Sequence, residues 1–350
     1  MQYGPLVISI NGYHVYPDQN IAQVLQHPLV GGVILFSNNF QDKTQLKQLT
    51  DEIKAISQEN NKSLLIMVDH EGGYVQRFRV GFAAIPAAKV LGDIYDINPE
   101  TALIYANQLG ILVGQELKEV GIDIVLGPVV DLDKGNGVIS GLDRAYHQDP
   151  NVVIQIASAY IQGLETAGVH ATLKHFPGHG GDIGDSHITE PVDNRSWEDL
   201  STTDLLPFKN LIETGMIGAV MPAHILYPEV DSENTAGTSK IWLSDILRDE
   251  LNFDGVIISD CLSMVGAGSG SNIEKTLQAL EFGDIALLSH QSPQEYLLLL
   301  ENLEALHIEW SLESESRVEN WLTFFCDNES YIPPSLNLPI VESISEPIML

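Results

Sequence analysis

The chain is poor in cysteine and in cationic residues, and both shortages exclude classes of function. Its 350 residues include two cysteines, Cys261 and Cys326, which are too few and too far apart for a disulfide framework or a thiolate metal site. Seventeen Lys and Arg stand against 48 Asp and Glu, which gives a formal net charge of −31. A surface this acidic repels nucleic-acid phosphates and anionic lipid headgroups, so we expect neither nucleic acid nor membrane as a partner.

Long apolar runs and targeting signals are also missing. The longest apolar runs have the length of strands rather than of a membrane span. The first five residues, MQYGP, lack the basic and apolar regions of a signal peptide. No His-Glu-x-x-His or paired-cysteine motif is present, so we expect no metal and no cofactor. The sequence therefore predicts a reduced, cytoplasmic protein, which we expect to be a monomer.

Eight strand-length apolar segments alternate with amphipathic segments, a pattern that predicts an α/β fold with a parallel sheet. Most of the eight are continuously apolar, as strands buried on both faces should be. Eight repeats favour a single-domain (β/α)8 TIM barrel over an open doubly wound sheet. The predicted strands cover 6–9, 32–36, 64–69, 122–126, 170–174, 217–222, 256–260 and 285–288. The predicted helices cover 43–59, 100–120, 152–166, 203–214, 243–251, 274–282 and 293–306.

The whole chain is predicted to form one domain. Residues 1–306 hold the eight repeats and are assigned to the catalytic barrel. Residues 307–350 are assigned to the same domain, with a helix over 310–325 and a Pro- and Ser-rich tail over 328–350 that wraps the surface. No composition shift or low-complexity tract marks a boundary to a second domain.

Polar residues follow five of the predicted strands, at the point where each strand ends. In a (β/α)8 barrel these ends meet at one rim, where catalytic residues collect. Asp260 closes the segment 256–260, which directs its carboxylate into the barrel mouth. The other groups are Asp69 with Arg77, Asp131 with Arg144, Lys174 with His175, and His224.

Structural roles are open alternatives for several of these residues. Asp131 could be a helix N-cap, and His224 could be a hydrogen-bonded imidazole of the core. Asp69 and Arg144 could form a structural ion pair.

The segment 174–187, KHFPGHGGDIGDSH, carries one lysine, three histidines and two aspartates among four glycines. Burying so many ionisable groups without partners is too costly, so we expect this loop to form the wall of an active site. Its glycines would let it swing toward a bound substrate. A metal site is an alternative interpretation of the same loop. Its ligands would be His175, His179, Asp182 and His187.

Five segments, taken together and in order, resemble the glycoside hydrolases of family 3. They are LVGGVILF at 29–36, DHEGG at 69–73, KHFPGHG at 174–180, DSH at 185–187 and FDGVIISD at 253–260. Within that family the chain is similar to the single-domain bacterial β-N-acetylhexosaminidases of peptidoglycan recycling. The resemblance covers about residues 7–306 and implies a hydrolase. The implied substrate is non-reducing N-acetylglucosamine, β-1,4-linked to anhydro-muropeptides.

The resemblance also implies a retaining mechanism. Asp260 matches the nucleophile, which forms a glycosyl-enzyme intermediate. His187, held by Asp185, matches the acid/base. An extended backbone puts residues i and i+2 on one face, and imidazole titrates close to cytoplasmic pH, which suits both roles. The residues that the resemblance assigns to the N-acetylglucosamine pocket are Asp69, Arg77, Arg144, Lys174 and His175.

The chain departs from the expected family pattern at a few positions. Cys261 stands where we expect a second aspartate, and His70 and Tyr74 stand where we expect Gln and Arg. The segment 138–144 is about two residues longer than expected before Arg144. A catalytically inactive sugar-binding relative is therefore an alternative. A family 3 β-glucosidase and a phosphorolytic N-acetylglucosaminidase are two further alternatives.

Overall fold

Parallel strands form the centre of the molecule. The computed structural model describes residues 3–16, 18–60, 62–135, 137–179, 190–308 and 310–324. The fifth of the eight barrel strands is interrupted and consists of two segments. In chain order the strands are Leu6–Ser9, Val30–Leu35, Leu65–Val68, Ile124–Val125, His170–Ala171 with Leu173–Phe176, Ala219–Pro222, Val256–Ile257 and Ala286–Leu288.

Backbone pairing closes these strands into a ring. The first strand pairs with the eighth, and the first five pair in sequence order, all in parallel. The second segment of the fifth strand pairs with the sixth, which pairs with the seventh. A parallel bridge between Ile258 and Ile285 joins the seventh strand to the eighth. The predicted (β/α)8 barrel is confirmed, and each strand overlaps its predicted segment.

Helices connect the strands and surround the barrel. All the predicted helical segments are helical, and 43–59 matches α2 at both ends. In chain order the helices are α1 (Gln19–Gln26), α2 (Lys43–Glu59), α3 (Ala88–Ile97), α4 (Pro99–Glu119), α5 (Gly137–Ser140), α6 (Pro150–Thr166), α7 (Trp197–Thr202), α8 (Leu205–Glu213), a π-helix (Ile241–Glu250), α9 (Asn272–Phe282), α10 (Pro293–Ala305) and α11 (Leu312–Phe324). Among the described residues, none of these helices combines the length and the apolar character needed to cross a bilayer.

Some short helices and strands were not predicted from the sequence. Helices α1 and α3 are eight and ten residues long, so each offers few turns in which helical periodicity can be recognised. Two antiparallel hairpins were also missed. They pair His70–Gly72 with Val75–Gln76, and Leu226–Tyr227 with Asp231–Thr235.

Side chains along each strand alternate between two apolar environments, as strand geometry requires. Val7 and Leu287 belong to the cluster inside the barrel, whereas Leu6 and Leu288 belong to the layer between the barrel and its helices. Helix α11 closes the N-terminal end of the barrel with Trp321. A Cβ at Gly218 would lie 1.8 Å from the Trp321 ring, so only glycine permits this contact.

A buried carboxylate, Asp284, ties α11 to the seventh and eighth strands. Its oxygens accept hydrogen bonds from Arg248 at 2.6 Å, Arg317 at 3.0 Å and Ser314 at 2.7 Å. They also accept from the backbone N–H of Ile257 at 2.8 Å. Residues 325–350 lie outside the described residues, so the assignment of the whole chain to one domain stays a prediction.

Replacing Asp284 with asparagine should lower the free energy of unfolding by about 3–5 kcal/mol, because two partly buried arginines lose their shared counter-charge. The change is checked by urea unfolding followed by circular dichroism. Asp254→Asn is the matched control. Asp254 contacts the same Arg317 at 3.4 Å, but its side chain is 92% exposed, so its loss should cost less than about 1 kcal/mol. Equal losses in both variants would contradict the proposed role of Asp284.

Candidate active site

A cavity of about 190 Å³ opens at the C-terminal ends of the barrel strands. Its floor is apolar and continues the core inside the barrel, with Ile34, Leu126, Met221 and Leu287. Asp69, Arg77 and Asp260 line it among the predicted site residues. A larger cavity of about 980 Å³ lies at the opposite end of the barrel, and no predicted site residue among those described lines it. The smaller cavity is therefore the candidate active site.

Asp260 follows the seventh strand and presents its carboxylate to the cavity. The backbone N–H of Cys261 donates a hydrogen bond of 2.7 Å to Oδ1. Burial raises the pKa of the Asp260 carboxyl, but His224, His175 and the Cys261 N–H lower it by more, so the net pKa lies below its ordinary value. The carboxylate is therefore ionised at neutral pH, as a nucleophile must be.

A chain of alternating charges forms one side of the site. Lys174 Nζ lies 2.8 Å from Asp69 Oδ1 and 2.7 Å from Glu71 Oε1. Arg144 donates Nε–H and Nη2–H to the two oxygens of Glu71, at 2.8 and 2.9 Å. Arg77 Nη2 lies 3.2 Å from Asp69 Oδ2. The sequence allowed a structural ion pair between Asp69 and Arg144. In the structure Arg144 pairs with Glu71 instead, and Asp69 pairs with Lys174 and Arg77.

A second buried carboxylate fixes the start of the loop after the fifth strand. Asp131 accepts hydrogen bonds from His175 N and His179 N, at 3.1 and 2.7 Å, and from His175 Nδ1 at 2.7 Å. Burial raises the pKa of Asp131, but His175 and His179 lower it by more, and the net pKa is low. Asp131 is thus no helix N-cap. It orients the His175 ring and leaves Nε2 for another partner.

His224 is buried at the end of the sixth strand, beside the nucleophile candidate. Burial lowers the pKa of His224, and the nearby Asp260 carboxylate only partly offsets that effect. The imidazole is therefore neutral at pH 7. His224 is buried as a core residue would be, but it also takes part in the electrostatics of the site.

The predicted dyad, Asp185 and His187, lies outside the described residues, as does Asp182. The described chain reaches His179 and resumes at Glu190. The loop begins against the barrel, because Tyr227 Oη donates a hydrogen bond of 2.5 Å to Gly178 O. Among the described residues, no group of three His, Cys, Asp or Glu side chains could hold a metal ion.

Several residues that line the cavity or lie beside it were not found from the sequence. Glu71 lies two residues after Asp69 and has the same strand-end signal, which could have identified it. Phe36 follows the second strand, and its ring centroid lies 4.7 Å from that of His290. Arg77 lies over the Phe36 ring, 5.6 Å from its centroid. The sequence offered no signal for His290, which follows the eighth strand with a positive φ of 60°.

The residues that depart from the family pattern lie in three different environments. His70 is buried against Phe78 and Phe82, and burial lowers its pKa to about 3, so it is a neutral core residue. Tyr74 is 73% exposed. Cys261 alone of the three lines the cavity, where its Sγ lies 2.9 Å from Ser289 Oγ.

Comparison with known proteins agrees with this geometry. Residues 7–321 match the family model described as the glycosyl hydrolase family 3 N-terminal domain. The chain is 45% identical to a β-hexosaminidase of Tolumonas auensis over 302 residues, which cover 86% of this chain and 87% of the relative. It is 43% identical to a β-hexosaminidase of Thiobacillus denitrificans, covering 91% of this chain and 86% of the relative.

Solved structures show the same likeness. NagZ from Neisseria gonorrhoeae, in complex with N-trifluoroacetyl-D-glucosamine, superposes with a TM-score of 0.82 at 38% identity. The match covers 92% of this chain and 90% of that chain. A family 3 β-N-acetylglucosaminidase from Paenibacillus superposes with a TM-score of 0.80 at 30% identity, covering 98% of this chain and 64% of that chain.

Proposed function

The chain belongs to glycosyl hydrolase family 3 and is a β-hexosaminidase, and we propose that it is a retaining exo-β-N-acetylglucosaminidase of cell-wall recycling. The proposed substrate is N-acetylglucosamine at the non-reducing end, β-1,4-linked to an anhydro-muropeptide. The observation that carries this proposal is the ionised Asp260 in a cavity whose rim also holds the Asp69–Lys174 pair. The bound sugar analogue of the gonococcal relative supports an N-acetylated ring.

The shape of the site supports release of a single terminal sugar. The cavity ends on the apolar floor formed by the barrel core, so a polysaccharide chain has no path beyond the first ring. A volume of about 190 Å³ suits one ring rather than several. The combination of an apolar floor and a charged rim suits a sugar, because a sugar ring has apolar faces and carries hydroxyl groups around its edge.

In the first chemical step, the Asp260 carboxylate attacks the anomeric carbon and the glycosidic C–O bond breaks. His187 gives its proton to the departing oxygen, and a glycosyl ester of Asp260 forms. In the second step, His187 takes a proton from water, the water oxygen bonds to the anomeric carbon, and Asp260 leaves as a carboxylate. Two inversions give net retention. The roles of His187 and Asp185 rest on the sequence resemblance.

The polar groups of the rim have hydrogen-bonding atoms left for sugar hydroxyls. Lys174 has three N–H donors, and Asp69 and Glu71 accept from two of them. His175 has Nε2 free to face a ligand, since Asp131 engages Nδ1. Hydrogen bonds from charged donors are stronger than those from neutral donors. We therefore propose that Asp69, Arg77, Arg144, Lys174 and His175 bind the N-acetylglucosamine ring.

One assay series tests this proposal. We expect 4-nitrophenyl N-acetyl-β-glucosaminide to be hydrolysed with a kcat/KM at least about 100-fold above that of the matching glucoside, because a site that hydrogen-bonds an acetamide has unpaired polar groups when the glucoside binds. Proton NMR should show the β-anomer of N-acetylglucosamine as the first product. A purified disaccharide-peptide with an anhydro-muramyl end should then release free N-acetylglucosamine.

The same series separates the alternatives. Preference for the glucoside would make the chain a β-glucosidase. A sugar 1-phosphate formed in phosphate buffer would make it a phosphorylase, and binding of N-acetylglucosamine without turnover would make it an inactive relative. Cytoplasmic location and the monomeric state stay predictions, to be checked by cell fractionation and by light scattering of the purified protein.

A further inference from the structure

Glu71 is the central carboxylate of the charged rim, although it does not line the cavity. Its side chain is 6% exposed, and its two oxygens accept hydrogen bonds from Arg144 and Lys174. Both partners are assigned to sugar binding, whereas Glu71 itself lies behind them. The carboxylate therefore holds two binding groups from different parts of the barrel, Lys174 on the fifth strand and Arg144 in the loop after the fourth.

We propose that Glu71 is a positioning residue, which fixes Arg144 and Lys174 in the orientation that binds the sugar. This inference rests on the proposed function, because it assigns a task to residues of that same site. The inference goes beyond the proposed function because it lets Glu71 control the affinity for the sugar without contacting the sugar.

The geometry of Arg144 supports the inference first. Glu71 occupies the edge of the guanidinium that carries Nε and Nη2, through two parallel hydrogen bonds of 2.8 and 2.9 Å. Such a fork allows one planar orientation of the guanidinium. The remaining N–H groups, including both on Nη1, are left for a ligand. Without Glu71 the Arg144 side chain, 11% exposed, would have a buried charge and no fixed plane.

The position of Lys174 independently supports a positioning role for Glu71. The Nζ atom bridges Asp69 and Glu71 at 2.8 and 2.7 Å, so its third N–H has a set direction. Two carboxylates and one ammonium form the inner part of the rim, and Arg77 and Arg144 complete it on either side. Removing the charge of Glu71 would leave Arg144 and Lys174 without the carboxylate that both of them contact.

The pKa values agree with this arrangement. Arg144 and Lys174 hold the pKa of Glu71 far below its ordinary range, although burial raises it. Asp69 and Glu71 raise the pKa of Lys174 above its usual value, against the effect of burial and of Arg144. The charge of Lys174 also lowers the pKa of Asp260. In Glu71→Gln the pKa of Lys174 should therefore fall, so Lys174 should lose its proton at a lower pH than in the wild type.

Affinity for free N-acetylglucosamine, measured by calorimetry from pH 6 to pH 10, is the test. We expect Glu71→Gln to raise the Kd about 10- to 100-fold at pH 7, since misplaced binding groups cost about that much. We also expect its affinity to fall off at a lower pH than in the wild type. Glu71→Asp, which keeps the charge, should restore the pH dependence even where its shorter side chain loses part of the affinity.

The matched control is Glu165→Gln. Glu165 is also a buried glutamate with a polar partner, Nδ1 of His170 at 3.0 Å, but it lies at the opposite end of the barrel. A loss of fold stability common to buried glutamates would appear in both variants as a lower melting temperature. Only Glu71→Gln should change the Kd and its pH dependence.

A double-mutant cycle shows whether Glu71 acts through its partner. If Glu71 positions Arg144, combining Glu71→Gln with Arg144→Gln should weaken binding by less than the product of the two separate factors.

A wild-type Kd and pH dependence in Glu71→Gln would overturn the inference while leaving the proposed function intact. If the wild-type protein neither binds nor cleaves the sugar, the proposed function fails. The Lys174 pKa, followed by NMR of labelled lysine, then decides the inference: an unchanged value in Glu71→Gln overturns it.

Discussion

Replacing Asp260 with asparagine is expected to lower kcat/KM for 4-nitrophenyl N-acetyl-β-glucosaminide by about 10³- to 10⁵-fold, in line with the loss of other nucleophiles. The amide keeps the size of the side chain but has neither the charge nor the nucleophilic oxygen that the glycosyl-enzyme requires. A carboxylate also offsets the positive charge that develops on the ring, and this effect is lost as well. Steady-state release of nitrophenolate measures the change.

Asp254→Asn is the control for the Asp260 variant. Asp254 lies just before the seventh strand and Asp260 just after it, but the side chain of Asp254 is 92% exposed, so its loss should leave kcat/KM within about twofold. Azide provides a second test. In Asp260→Gly, added azide should occupy the vacated space and yield the α-glycosyl azide. Near-wild-type turnover of Asp260→Asn, or a β-azide, would refute the role of Asp260.

Asp260 could be predicted from the sequence because its position follows from one local rule. A continuously apolar run predicts a strand buried on both faces, and the residue after such a strand lies at the rim of a barrel. The same rule found Asp69, Lys174, His175 and His224. In the structure Asp69 lines the cavity, Lys174 pairs with Asp69 at 2.8 Å, and His175 and His224 act on the carboxylate of Asp260. Strand positions and rim residues are thus encoded within a few neighbouring positions.

The pairing of the charged groups could not be predicted in the same way. Arg144 and Glu71 are 73 residues apart, and nothing local distinguishes Glu71 from Asp69 as the partner of Arg144. Which carboxylate receives which cation depends on the lengths of the side chains and on the geometry of neighbouring strands. For the same reason, the ring contact between His290 and Phe36 could not be predicted, since the two residues follow the eighth and the second strand.

Cys261 is a position where the sequence and the structure give complementary information. The sequence identified it as a departure from the expected aspartate, and this kept an inactive relative among the alternatives. In the structure its backbone N–H binds Asp260 at 2.7 Å, and its side chain contacts Ser289. The hydrogen bond to Asp260 comes from the main chain and is therefore independent of the side chain at position 261. An active Asp260 is compatible with cysteine at position 261.

Replacing His187 with alanine is expected to lower kcat for a substrate with a poor leaving group by about 10²- to 10⁴-fold, the usual contribution of a general acid. An unactivated alkyl N-acetyl-β-glucosaminide requires a proton on its leaving oxygen, whereas 4-nitrophenolate leaves without one. For the aryl substrate, bond cleavage to the glycosyl-enzyme should therefore be nearly normal. The second step should be slow, because no base activates water. A burst of nitrophenolate followed by a slow steady state is the expected result.

The dependence on pH is a second test of the role proposed for His187. Free imidazole has a pKa of about 6.5. Loss of the His187 proton should therefore make kcat/KM of the wild type fall at alkaline pH for the alkyl substrate. Asp260, whose pKa is lowered, stays ionised throughout that range. The alkaline fall should thus disappear in His187→Ala, while Asp185→Asn, which keeps the imidazole but removes its partner, should move the fall to lower pH. The same alkaline fall in wild type and His187→Ala would assign the proton to another group.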